Sequence, residues 1–337
     1  MRKLYDLYGI YLPIFLLILP AVVVLRTVAL FTDLIEYGHF GNDLLANISA
    51  WCAAAASLFF VTYMCSGKKN IKLIPSFASP ANYVPSGLVA VCMAMLGINL
   101  LAEARTEEFK LLSTYGRIIA IATPVLALLA VVYFTLSSIL ISRRSIRRSD
   151  FGIIVLLFIC MYVAHIYFDT TLPINAPTKI TDEVAYLAIA MFFIGETRLS
   201  LGRENWRRYI SFAFIGAILS AYSAIPNLIY YFAREESVSL TIYESLLTLS
   251  FFIFITAKIF LTPMLTRDEK SAVVERIIAA AEARAEALEP AKEEAVEEIS
   301  ETPAEADENQ ITITYAEPTA EAEALTEGNE KQEIAQE

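Results

Sequence analysis

Seven polar side chains lie within or at the ends of otherwise apolar stretches: Arg26, Asn99, Glu103, His165, Asp169, Asn227 and Glu244. Asn99 and Glu103 are four residues apart, as are His165 and Asp169, so on a helix each pair shares a face. Amide, imidazole and carboxylate groups presented together can hold a small polar ligand. A guanidinium among them needs a counter-charge or water, because a charge inside lipid is unfavourable by roughly 2.5–3.5 kcal/mol. Glu103, Asp169 and Glu244 are the acids nearest Arg26 in depth and are expected to neutralise it. Tyr222, Pro226 and Tyr230 fall along one helix face with Asn227 adjacent. The reading is a ligand-binding cavity facing the non-cytoplasmic side. The competing reading is ordinary interface chemistry: hydrated span ends, an aromatic belt and a snorkelling Arg26.

A second pair lies toward the opposite side. Glu196 and Lys258 each sit four or five residues inside the end of an apolar stretch. That places both roughly 6–8 Å below the surface. An interhelical structural ion pair is expected, with separate snorkelling as the alternative.

Known catalytic and metal patterns are not found. The four cysteines, Cys52, Cys65, Cys92 and Cys160, lie in apolar stretches and form no CxxC pair, so they read as free thiols packed as small hydrophobes. The histidines are His39 and His165, with no HExxH, so no metal site is expected. No phosphate loop, dinucleotide fingerprint or GxSxG occurs, and no cofactor is expected. Asn47-Ile48-Ser49 has glycosylation spacing but opens an apolar stretch. No acid–base pair or metal set lies at a shared depth with recognisable spacing, which leaves catalysis unsupported.

The elements that must position these groups are helices in lipid. The chain has 337 residues and is 56% hydrophobic, with mean hydropathy +0.53. Residues 10–25 and 118–142 carry no charge. About 20 apolar residues cross a bilayer as a helix, and backbone groups in lipid must be bonded within the segment. Eight spans are expected, near 10–31, 45–65, 83–103, 117–141, 151–168, 183–201, 209–232 and 241–262. The sixth is the weakest, since its uninterrupted apolar core VAYLAIAMFFIG is short. The first reads as a retained anchor, being too long for a secretory signal and containing Arg26.

Loop charge orients the spans. One set of loops holds Arg2 and Lys3; Lys68, Lys69 and Lys72; Arg143, Arg144, Arg147 and Arg148; and Arg203, Arg207 and Arg208. The other set is acidic, with Asp33, Glu36, Asp43, Glu107, Glu108, Asp169, Asp182, Glu183, Glu235 and Glu236. The basic loops face the cytoplasm, so both termini are expected there. The dense arginine run at 143–148 thus reads as a retention signal for a membrane side, not as a nucleic-acid site. It is also compatible with contact to anionic lipid.

Composition changes near Thr266. Residues 266–337 hold 21 acidic and 6 basic residues, net −15, leaving 16 acidic and 20 basic, net +4, for residues 1–265. The acidic balance therefore belongs to the tail. Residues 266–290 read as an amphipathic cytoplasmic helix ended by Pro290, a candidate surface for a cytoplasmic protein. Residues 291–337, rich in Ala, Glu, Pro and Thr, read as disordered. No internal repeat is evident, and Pro13, Pro20, Pro124 and Pro226 do not pair between two halves. The fold expected is an all-α polytopic bundle in a plasma membrane, with a bacterial one favoured. Two functions fit: a sensor, receptor-like or scaffold protein with an outward polar pocket, or a secondary transporter of a small, weakly polar solute. The apolar middles of the spans tilt the balance to the first, since a transporter needs a site near the midplane.

Overall fold

The computed structural model describes residues 8–34, 38–41, 43–65, 80–105, 114–139, 147–169, 172–200 and 206–260. The chain divides into two units, Met1–Arg276 and Ile277–Glu337. The expected helix 266–290 and tail 291–337 lie outside the described residues, as does the arginine run up to Ile146.

The described residues are all-helical. The helices are α1 (Tyr11–Asp33), α2 (Asp43–Cys65), α3 (Pro80–Glu103), α4 (Thr114–Ile139), α5 (Arg147–Phe168), α6 (Pro177–Ser200) and α7 (Trp206–Arg234). An eighth, α8, runs over Ile242–Phe260. Six of them, α1 to α4, α7 and α8, are long and apolar enough to cross a membrane. In α5 the apolar part is the shorter Gly152–Phe168. Helix α6 is long enough at 24 residues, about 36 Å, but it carries Lys179, Asp182, Glu183, Glu196 and Arg198, which lower its hydropathy.

Helices α1, α2 and α7 pack on one another, and α7–α6, α6–α5, α5–α4 and α4–α3 follow as neighbours. The Phe60 and Phe214 rings stack 4.7 Å apart where α2 meets α7. Helix α8 touches α4 through Phe251 and Phe134, α5 through Glu244 and Tyr162, and α6 through Thr248 and Tyr186. The large buried side chains are mostly Phe and Tyr, while Leu17, Trp51, Leu58, Val84, Ile98 and Phe232 point outward. That arrangement suits lipid, where an exposed apolar side chain is not penalised.

Candidate functional site

The first two turns of α6 organise one end of the bundle. Pro177 opens the helix at a position where its missing N–H is not needed. Thr178 then donates to the Gly38 carbonyl in the α1–α2 connection at 3.2 Å. Lys179 Nζ donates to the Tyr167 carbonyl at 3.1 Å and the Asp169 carbonyl at 2.6 Å. Those acceptors lie at the C-terminal end of α5, where carbonyls lack helical partners and the helix dipole favours a cation. Thr181 accepts from Arg26 Nη2 at 3.4 Å. Asp182 accepts from Ser223 on α7 and from Ser239 in the α7–α8 connection. Four polar residues among the five from Thr178 to Asp182 thus hold α1, α5, α7 and two connections.

Gly38 is required for that arrangement. Its φ is +72°, a left-handed conformation, and a Cβ there would stand 2.4 Å from Thr178 Oγ1. Neither an L side chain's preferred backbone nor its first carbon fits.

Beside this hub is a small polar cavity of about 30 Å³. His165, Asp169, Lys179, Asp182, Ser239 and Glu244 supply its polar walls, with Ile166, Leu172 and Leu240. A water needs at least roughly 10–15 Å³ of such space, so about two water-sized groups fit. Organic ligand pockets are about 300–1,000 Å³. Glu244 is held by a capping box: Thr241 N–H donates to Glu244 Oε2 at 2.7 Å, and Glu244 N–H donates to Thr241 Oγ1 at 3.4 Å. Glu244 Oε1 accepts from Tyr162 at 2.6 Å. Behind it, the Tyr162 and Tyr186 rings are 4.5 Å apart, Tyr186 is 2.9 Å from Thr248 Oγ1, and Thr248 donates to the Glu244 carbonyl at 2.9 Å.

Of the seven candidate residues, His165, Asp169 and Glu244 line this cavity. Asn99 donates to Glu103 at 2.6 Å on α3, and Glu103 is within electrostatic reach of Glu244, His165 and Asp169 without lining the cavity. Arg26 is only 4% exposed. Its guanidinium lies over Phe40 at 5.0 Å and Tyr222 at 5.3 Å. The three acids expected to neutralise Arg26 form no ion pair with it; the acid it acts on is Asp182, one residue beyond its Thr181 partner. Asn227 is buried on α7, outside the cavity wall.

At the opposite end, Lys258 Nζ donates to Glu196 Oε1 at 2.8 Å, and the Tyr8 hydroxyl donates to the Ile259 carbonyl at 2.7 Å. An aromatic layer separates the two ends. Phe193 lies 5.9 Å from Phe134, 5.7 Å from Phe251 and 5.8 Å from Phe254, and all four are buried.

Sequence reasoning did not single out Thr178, Lys179, Asp182, Ser223, Ser239 or Tyr162. Two signals were available. Thr241-Ile-Tyr-Glu244 has capping-box spacing, and Thr178, Thr181 and Asp182 have the i, i+3, i+4 spacing of one helix face.

These features define an all-helical chain with the make-up of a multi-pass membrane protein. It matches no family model, no curated protein and no solved structure.

Proposed function

We propose that the chain crosses a plasma membrane eight times with both termini in the cytoplasm, and works as a sensor, receptor-like or scaffold protein. Helix α8 carries this reading. Glu244, in its first turn, lines the outer cavity, and Lys258, near its inner end, is clamped to Glu196. These positions are 14 residues apart, about 21 Å along a helix. A displacement at the cavity is thereby passed to the root of the C-terminal region, where residues 266–290 would meet a cytoplasmic partner. The cavity volume favours a ligand of one or two water-sized groups, such as a small ion.

The crossing of α6 is supported by its two anchors. Asp182 is bonded at the outer end and Glu196 at the inner end of the same helix. Lys179 and Asp182 are hydrogen-bonded inside the bundle and Glu196 is paired with Lys258, so these polar groups do not by themselves oppose insertion. The buried Phe134, Phe193, Phe251 and Phe254 rings fill the bundle between the outer cavity and the inner clamp, which favours a sensor over a secondary transporter, whose site must be reachable from both sides.

The test is a thermal-shift screen of inorganic ions and small polar solutes on the purified protein, followed by proteoliposome uptake of any that stabilise it. A sensor binds such a solute without moving it. Saturable uptake would replace this reading with a permease.

A further inference from the structure

Titratable side chains from four helices converge on the outer cavity. His165 and Asp169 at the end of α5, Lys179 and Asp182 of α6, and Glu244 of α8 line it. Glu103 of α3 is within electrostatic reach of His165, Asp169 and Glu244, and Arg26 of α1 acts on Asp182. Helix α4, packed on α5, carries Arg117 in its first turn, and α6 also carries Glu183. At the cavity and its edge, Glu103, Asp169, Asp182 and Glu244 thus stand against Lys179 and Arg26, and the Lys179 ammonium is bonded to two backbone carbonyls. The His165 ring stacks on Tyr162 with centroids 6.1 Å apart, and the Tyr162 hydroxyl donates to Glu244.

Given that the outer cavity is the sensing site, as proposed above, size and charge select its ligand. Its volume of about 30 Å³ is far below that of an organic ligand pocket. An anion would meet the carboxyl groups. Among the described residues no three His, Cys, Asp or Glu side chains are grouped so as to hold a metal ion. A proton needs neither volume nor a coordination shell. We propose that the outer cavity binds a proton at His165, which makes the chain a sensor of pH on its non-cytoplasmic side. Imidazole is the side chain whose ordinary titration falls between about pH 5 and pH 8. The proton comes from the outer aqueous phase, joins a ring nitrogen and returns to that phase, so no other reactant is consumed. An imidazolium there is within electrostatic reach of Asp169, four residues on, and of Glu103, and it offsets the repulsion among Glu103, Asp169 and Glu244. The charged ring also changes the field on the Tyr162–Glu244 hydrogen bond, and so on the first turn of α8.

Nitrogen-15 NMR of the full chain, histidine-labelled and held in nanodiscs, reads the proton directly. The chain has two histidines, so His39→Gln leaves the His165 signals alone. Those signals should titrate between about pH 5 and pH 8. Glu103→Gln with Asp169→Asn should move the midpoint to lower pH by roughly one unit or more, because the imidazolium loses both acids. A ring that keeps one protonation state across the range, or a midpoint unmoved in the variant, would overturn the proposal. If the double variant does not fold, an unmoved midpoint in Glu103→Gln alone overturns it. Infrared difference spectra between the two pH limits should show a carboxyl band, assigned with Glu244→Gln, that His165→Gln removes. A band that persists in His165→Gln overturns the link to α8. The sensor reading fails separately: solute uptake driven by external acid would make the chain a proton-coupled permease with its proton site intact.

Discussion

The Tyr162 hydroxyl donates to Glu244 Oε1 across 2.6 Å, joining α5 to the first turn of α8 at the wall of the outer cavity. The other oxygen of the same carboxylate accepts the Thr241 N–H. One side chain therefore caps a helix, ties it to a neighbour and contributes a carboxyl group to a cavity. Anything that draws Glu244 away must break a charge-assisted hydrogen bond inside the bundle.

Tyr162→Phe is expected to destabilise by about 1.5–3 kcal/mol, the range for a hydrogen bond to a charged group. Thr241→Ala removes the reciprocal cap and should destabilise by about 1 kcal/mol. Reversible unfolding in mixed micelles measures both. A neutral Tyr162→Phe would mean that Glu244 is held by other donors.

Glu196→Gln and Lys258→Met each strand one member of a buried pair, which is typically unfavourable by about 3–5 kcal/mol. The double variant should recover part of that loss. Strictly additive values in the cycle would show two independent side chains.

Gly38→Ala should destabilise the bundle's outer end by at least about 1–2 kcal/mol from the left-handed backbone alone. The Cβ contact with Thr178 adds to this. Gly38→Ala with Thr178→Ala should regain the contact contribution but not the backbone one. Full recovery would place the whole effect in the contact.

Reporter fusions within 143–148, within 203–208 and after residue 266 should all report the cytoplasm, and one within 170–180 the outside. If α6 did not cross, the 203–208 fusion would report the same side as 170–180. Protease protection of the same fusions in sealed vesicles provides a second readout.

What the sequence determined was the set of helices and the contacts within a helix. The eight expected stretches fall on α1 to α8, six of which are long and apolar enough to cross a membrane, because run length and the need to bond backbone groups within the segment leave little choice of element. The Asn99–Glu103 bond follows from four-residue spacing alone. Cys52, Cys65, Cys92 and Cys160 are free thiols, as their spacing implied, but only Cys92 is buried; Cys52 is half-buried, and Cys65 and Cys160 are exposed because their helix faces turn away from the core. What only the tertiary structure decided was which helices are neighbours and how each is rotated. Depth alone pointed Arg26 toward Glu103, Asp169 or Glu244, but α1 packs on α7, and α7 on α6. Arg26 therefore meets Tyr222, Phe40 and Thr181. Asp182 looked like a loop charge because hydropathy averages a window and ignores direction. In the bundle it turns inward to two serine hydroxyls. Linear spacing fixes a residue's height and face on its own helix, whereas partners between helices depend on rotation and neighbour order, which arise only when the whole bundle packs.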